Sequence, residues 1–167
     1  AEFRMLFADR AHRALFNDGP LTAANAIARY QSILEEVDGA LEAEVGRWGD
    51  QHNAVGYDKS DWQNESNNVI NSFLNGRTNV FVNHLRSAWL YSSVDAVSWN
   101  LRGGAVGNTF NIQLTAPQGT IYYTTDGSDP RLIGGAISGN ATQYTGSFSL
   151  AGHATIRARV LHNGVWS

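Results

Sequence analysis

Two carboxylates three residues apart, Asp126 and Asp129 in the stretch Asp126-Gly127-Ser128-Asp129-Pro130, are the most chemically suggestive pair in the chain. Glycoside hydrolysis needs two carboxyl groups about 5–9.5 Å apart across a sugar, and carboxylates gathered in a loop can begin a calcium site. A plainer chemistry also fits. Asp-Gly tolerates positive φ and Asp-Pro favours the onset of a turn, so turn formation accounts for both residues. An exposed loop has no cleft to raise one pKa, as an acid catalyst requires, and the DxDxDG ladder of strong calcium sites does not occur here. The expectation is therefore a structural turn and no resident cofactor, with Ca²⁺ held by Asp126 and Asp129 as the alternative.

Aromatic side chains supply the binding chemistry. Sugar rings present apolar CH faces that stack on Trp and Tyr. Trp99 and Tyr122 are the leading platforms, Tyr144 comes next, and Trp166 is the fourth candidate. Tyr122 falls on the strand face opposite Ile121 and Tyr123, hence outward. The competing reading buries these rings, as a small sandwich often buries a Trp. Carbohydrate or another protein domain is the partner this chemistry suits.

Other reactive patterns fail. There is no cysteine, which removes thiolate metal sites, thiol nucleophiles and disulfide scaffolds. The five histidines, His12, His52, His84, His153 and His162, form no HxxxH or HExxH pair. No GxSxG elbow is present; Gly135 to Gly139 reads GAISG. A net charge of −3 without a basic block argues against nucleic acid, and no apolar run is long enough to span a membrane. The opening AEFRMLFADR has charges where a secretion signal needs an apolar stretch. Asn64–Ser66 and Asn140–Thr142 spell glycosylation sequons, which chance often produces.

These residues must be positioned by two differently patterned halves. Residues 1–95 hold 13 acids and 8 bases, residues 96–167 only 2 acids and 4 bases. In the first half Ile27, Tyr30, Leu34, Val37, Leu41, Val45 and Trp48 recur every three or four residues, predicting a long helix from Thr22 to Trp48 with Thr22 as its N-cap and Gly49 as its stop. Gly39 marks a weak point in it. Glu35, Glu36, Glu42 and Glu44 read as its solvated face. A helix over 3–16, with Phe3, Phe7, Ala11 and Leu15 inward, ends at Asn17–Pro20. Two more follow: one over 61–74, capped by Ser60 or Asp61 and closed by Asn75-Gly76, and one from Thr78. Beyond Val97 the period becomes two. Phe110, Ile112 and Leu114, then Ile121 and Tyr123, Phe148 and Leu150, and Ile156, Ala158 and Val160 alternate with polar residues, predicting half-buried antiparallel strands in a small sandwich. Asn163-Gly164 predicts a two-residue hairpin. Only three residues follow it, so the chain reads as a fragment cut inside its last hairpin, and edge pairing of that truncated strand offers a route to a homodimer.

The segments GTIYYTTDGSDPR (119–131), GGAISGNATQYTGSFSL (134–150) and ATIRARVLHNGVWS (154–167) resemble the chitobiase/beta-hexosaminidase C-terminal domain, related to fibronectin type III-like accessory domains, over roughly residues 97–167. That resemblance implies a non-catalytic immunoglobulin-like sandwich of a carbohydrate-active or cell-surface protein, and so a cell-surface or extracellular precursor. FRMLFADRAHRALFNDGPLT, RYQSILEEVDGALEAEVGRWGD and NGRTNVFVNHLRSAWLY resemble the helical C-terminal part of CotH-type kinases, which phosphorylate proteins with ATP and a divalent metal. No kinase residue carries over. GxGxxG and Walker A patterns are absent, Gly103-Gly104 lacks phosphate-loop spacing, Lys59 is the sole lysine, and Asp61 suits a helix start.

The combined expectation is an α+β chain, with about four helices in 1–95 and an antiparallel immunoglobulin or fibronectin III-like sandwich in 96–167. It would act as a non-catalytic accessory fragment, an interaction or carbohydrate-binding module. The alternatives are a structural or docking part of a CotH-type kinase and a small glycoside hydrolase-like enzyme using Asp126 and Asp129.

Overall fold

In the computed structural model the described residues are 2–51, 55–107 and 109–167. The fold is α+β, helices first and then a small antiparallel region of two sheets. Packing divides the chain into two compact units: Phe7–Ala88, and Trp89–Ser167 together with the opening residues up to Leu6.

Helix α1 spans Glu2–Leu15 and buries Ala8 and Leu15, two turns apart. Of the side expected to face inward, Leu15 is buried and Phe7 and Ala11 are half-buried, whereas Phe3 is 72% exposed and Ala8 is buried in addition. Asn17 and Asp18 then adopt φ of 60° and 64°, and the chain leaves the helix at the predicted Asn-Asp-Gly-Pro stop. Helix α2, Ala23–Trp48, is capped as expected: Thr22 is extended and its hydroxyl accepts from the Asn25 N–H at 3.4 Å. The Asn25 amide adds bonds to the Asp18 and Gly19 carbonyls. Gly39 does not break the helix, and none of its residues is fully buried.

The next helix starts earlier and ends later than expected. Asp58 is its cap, accepting from the Ser60 and Asp61 N–H groups, while Asp61 accepts from the Asp58 N–H at 2.9 Å. This reciprocal box fixes α3, Lys59–Asn68. A π-helical segment, Val69–Leu74, leads without interruption into α4, Asn75–Ser87. Asn75-Gly76 therefore closes nothing. Asn75 keeps helical dihedrals and its N–H reaches the Ile70 carbonyl, the five-residue bond of a π turn. Glycine costs a helix interior about 1 kcal/mol, too little to outweigh the burial of Val82 and Leu85 further along.

In the other unit β1, Ser98–Trp99, pairs with β2, Leu114–Thr115. A four-stranded antiparallel sheet has the order β4-β3-β5-β6, with β3 Thr120–Thr124, β4 Thr142–Gln143, β5 Arg157–His162 and β6 Val165–Trp166. The alternation places Ile121 and Val160 on the core face with Val94, Val97, Ile112 and Leu114. Each such buried aliphatic side chain contributes about 1.5–3 kcal/mol. Ile112 bridges Phe148, tying the pieces together. Asn163 and Gly164, with φ of 49° and 78°, form the predicted tight turn between β5 and β6.

Candidate functional site

Strand register sets the site. Tyr122 lies opposite Arg159 on β5 and Gln143 on β4, Thr124 lies opposite Arg157, and Trp166 lies opposite Leu161. Side chains of one parity share a face, so Tyr122, Thr124, Arg159 and Trp166 occupy the face turned away from the core. The excursion between β3 and β4 covers part of it. Thr124 donates to the Ser128 carbonyl at 2.6 Å, Pro130 is fully buried, and the Trp166 indole donates to the Gly135 carbonyl at 2.7 Å.

Arg159 holds this cover down. It is only 9% exposed. Its Nε and Nη2 donate to the Asp129 carboxylate at 2.7–3.0 Å, and its Nη1 donates to the Ser167 carbonyl at 2.8 Å and contacts the Met5 sulfur at 3.3 Å. Burial alone pushes the Asp129 carboxyl up, but the hydrogen bonds from Arg159 and the Arg131 N–H, with the charges of Arg159 and Arg157, outweigh it and leave the pKa lowered. Asp126 is also held low, by the Ser128 hydroxyl and N–H and by the Asn140 amide. Arg131 grips Glu2 with two bonds of 2.7 and 3.0 Å; that contact and the Gly134 N–H take Glu2 down to about 2.

The loop carboxylates are thus bonded by protein donors, as turn chemistry predicts. Neither is raised toward the range of a general acid. A cation at Asp129 would have to displace the Arg159 guanidinium. Among the described residues no group of three or more His, Asp or Glu side chains is placed to hold a metal ion.

The four aromatic candidates fall on two sides of the sheet, Trp99 and Tyr144 against the core and Tyr122 beside Trp166 on the other face. Tyr144 packs on the core, edge-on to Tyr123 and Phe148 at 6.4 Å, and its hydroxyl accepts from the Leu114 N–H at 3.2 Å. Trp99 is half-buried against the same core. Trp166 is 5% exposed, which leaves no ring face for a ligand. Tyr122 is half-buried, its ring centroid 5.8 Å from that of Trp166, beside the exposed Gln143.

Sequence reasoning missed Arg159, which alternation had placed outward. The available signal was a charged residue amid strand-forming ones, with an acid in the loop that returns toward it. It also missed a cleft in the helical unit. Gly49 ends α2 where the Tyr57 N–H donates to its carbonyl at 2.7 Å; a Cβ at Gly49 would fall 2.5 Å from the Tyr57 carbonyl oxygen. That close return sets Tyr57 beside Trp48 and Trp62 on an open cleft. Trp48, expected on an inward stripe, is 43% exposed.

Residues 111–165 match the family described as Fn3 associated. No curated protein and no solved structure matches the chain. No helix among the described residues is long and apolar enough to cross a membrane.

Proposed function

We propose that the chain is a non-catalytic accessory part of a larger cell-surface or carbohydrate-associated protein, with its β unit, residues 96–167 as a sandwich domain, serving as a carbohydrate-binding module. The observation that carries this reading is the pairing of Tyr122 with Gln143 across β3 and β4. The ring offers a sugar its CH-stacking surface and the exposed amide offers hydrogen bonds to hydroxyls. Trp166 supports the ring from within the fold, and Trp99 and Tyr144 stiffen the layer beneath. The Fn3 associated match over 111–165 is in keeping with an accessory role, as is the resemblance to the chitobiase C-terminal domain. Hydrogen bonds from Ser128 and Asn140 to Asp126, and from Arg159 and the Arg131 N–H to Asp129, hold both carboxyls on the ionised side, which leaves a glycosidase reading without its acid.

Calorimetric titration with chitin, cellulose and xylan oligomers tests this directly. Millimolar binding is expected, weakened about tenfold in Tyr122→Ala with the fold intact. Absence of heat with all three oligomers removes the sugar claim.

A second reading rests on a different observation. Ile33, Val37 and Trp48 leave an apolar stripe of α2 exposed, as suits a helical piece of a CotH-type kinase lobe that docks against further structure. Tight association of the chain with an upstream kinase segment, lost in Ile33→Glu, supports that reading; no association counts against it.

A further inference from the structure

We propose that the cleft between the end of α2 and the start of α3 binds a small organic cation, an alkylated ammonium of the kind choline carries. This goes beyond the sugar-binding reading and lies on a different unit. The cleft measures about 680 Å³, within the range of small-molecule sites. Trp48, Tyr57 and Trp62 line it together with the acids Glu44, Asp58, Asp61 and Glu65, of which Asp58 and Asp61 also form the capping box of α3; no lysine or arginine is among the described residues that line it. Aromatic faces attract cations through their quadrupole, most strongly on Trp, and the carboxylates add a field of the same sense. A neutral ligand gains nothing from that field. A bare metal ion needs several oxygen donors converging on one point, and among the described residues no group of three or more acids or histidines is so placed. The Arg47 guanidinium, outside the cleft lining, already makes such a contact 4.9 Å from the Trp48 ring centroid, so a bound cation shares that indole with it.

The full chain is titrated with choline at constant ionic strength while the indole N–H resonances are followed by NMR. Saturable shifts confined to Trp48 and Trp62 are expected, with millimolar affinity and little response to the uncharged carbon isostere of choline. Trp48→Ala weakens binding about tenfold, and the surface double variant Glu44→Gln/Glu65→Gln about threefold, with helical circular dichroism unchanged in both. Three results overturn the proposal: no saturation at about 50 mM choline, equal binding of the isostere, or undiminished affinity in a folded double variant. Tyr122→Ala leaves choline binding unchanged, so failure here and failure of the sugar reading are separable. Binding of a trimethyllysine peptide more than about tenfold tighter than choline overturns the small-ligand assignment.

Discussion

The ion pair between Asp129 and Arg159 is where loop and sheet are joined, and its energetics follow from burial. A guanidinium that loses its carboxylate inside a fold keeps its desolvation cost and loses its counter-charge. Asp129→Ala is therefore expected to destabilise the β unit by about 3 kcal/mol, read as a shift in the urea midpoint at unchanged slope. Acid probes the same pair. Asp129 titrates below its ordinary range in the fold because Arg159, the Arg131 N–H and Arg157 overcome the opposing effect of burial. Protonation thus favours the unfolded chain. The contribution is complete above the unfolded carboxyl pKa of about 4 and is lost as pH falls from there through the lowered folded-state value. Urea melts from pH 6 down to about pH 2.5 should show this loss in the wild type and a smaller one in Asp129→Asn. Equal acid sensitivity in the two would mean that the pair does not govern the loop.

At the scale of elements, local signals prevailed where neighbours in sequence decide the outcome. Thr22 and Gly49 bound α2, Asn163-Gly164 turns the last hairpin, and the period of two marked Ile112, Leu114, Ile121 and Val160 as core. Signals that depend on distant partners were not legible. Asn75-Gly76 reads as a stop, yet the helix runs through it because residues beyond it are buried; Arg159 reads as outward until Asp129, thirty residues earlier, is brought to it. The same logic hid the candidate site. A Trp on a helical stripe reads as core unless the neighbouring chain is known to leave it open, as at Trp48. Two glycines distinguish these cases. A Cβ at Gly76 meets nothing within 4 Å, so Gly76→Ala should stabilise the helical unit by about 1 kcal/mol. Loss of stability there would indicate a break after all. Gly119 enters β3 at φ +76°, and a Cβ would fall 2.6 Å from the Leu161 carbonyl oxygen. Gly119→Ala should cost about 2 kcal/mol or more through strain and displaced backbone, measured by thermal unfolding.

Across the whole molecule, burial is uneven, and stability should follow it. The β unit concentrates its fully buried aliphatics in one cluster around Val160, crossed by the longest paired strands, β3 and β5. In the helical unit α2 has no fully buried residue, and among the described residues the buried apolar positions are Ala8, Leu15, Val82 and Leu85. Amides open locally at a free energy set by the contacts that must be broken. Helix hydrogen bonds are formed within one segment, so α2 can open without disturbing the sheet pairing of β3 with β5. Native-state hydrogen exchange should accordingly rank the amides of Ile121, Tyr123 and Val160 as the slowest. Those between Ile33 and Leu41 should exchange through a smaller opening that responds only weakly to Asp129→Ala, whereas the sheet amides should lose protection by the full destabilisation of that variant. If α2 and the sheet instead lose protection together and by the same amount, the two units unfold as one cooperative body and the uneven burial has no thermodynamic expression.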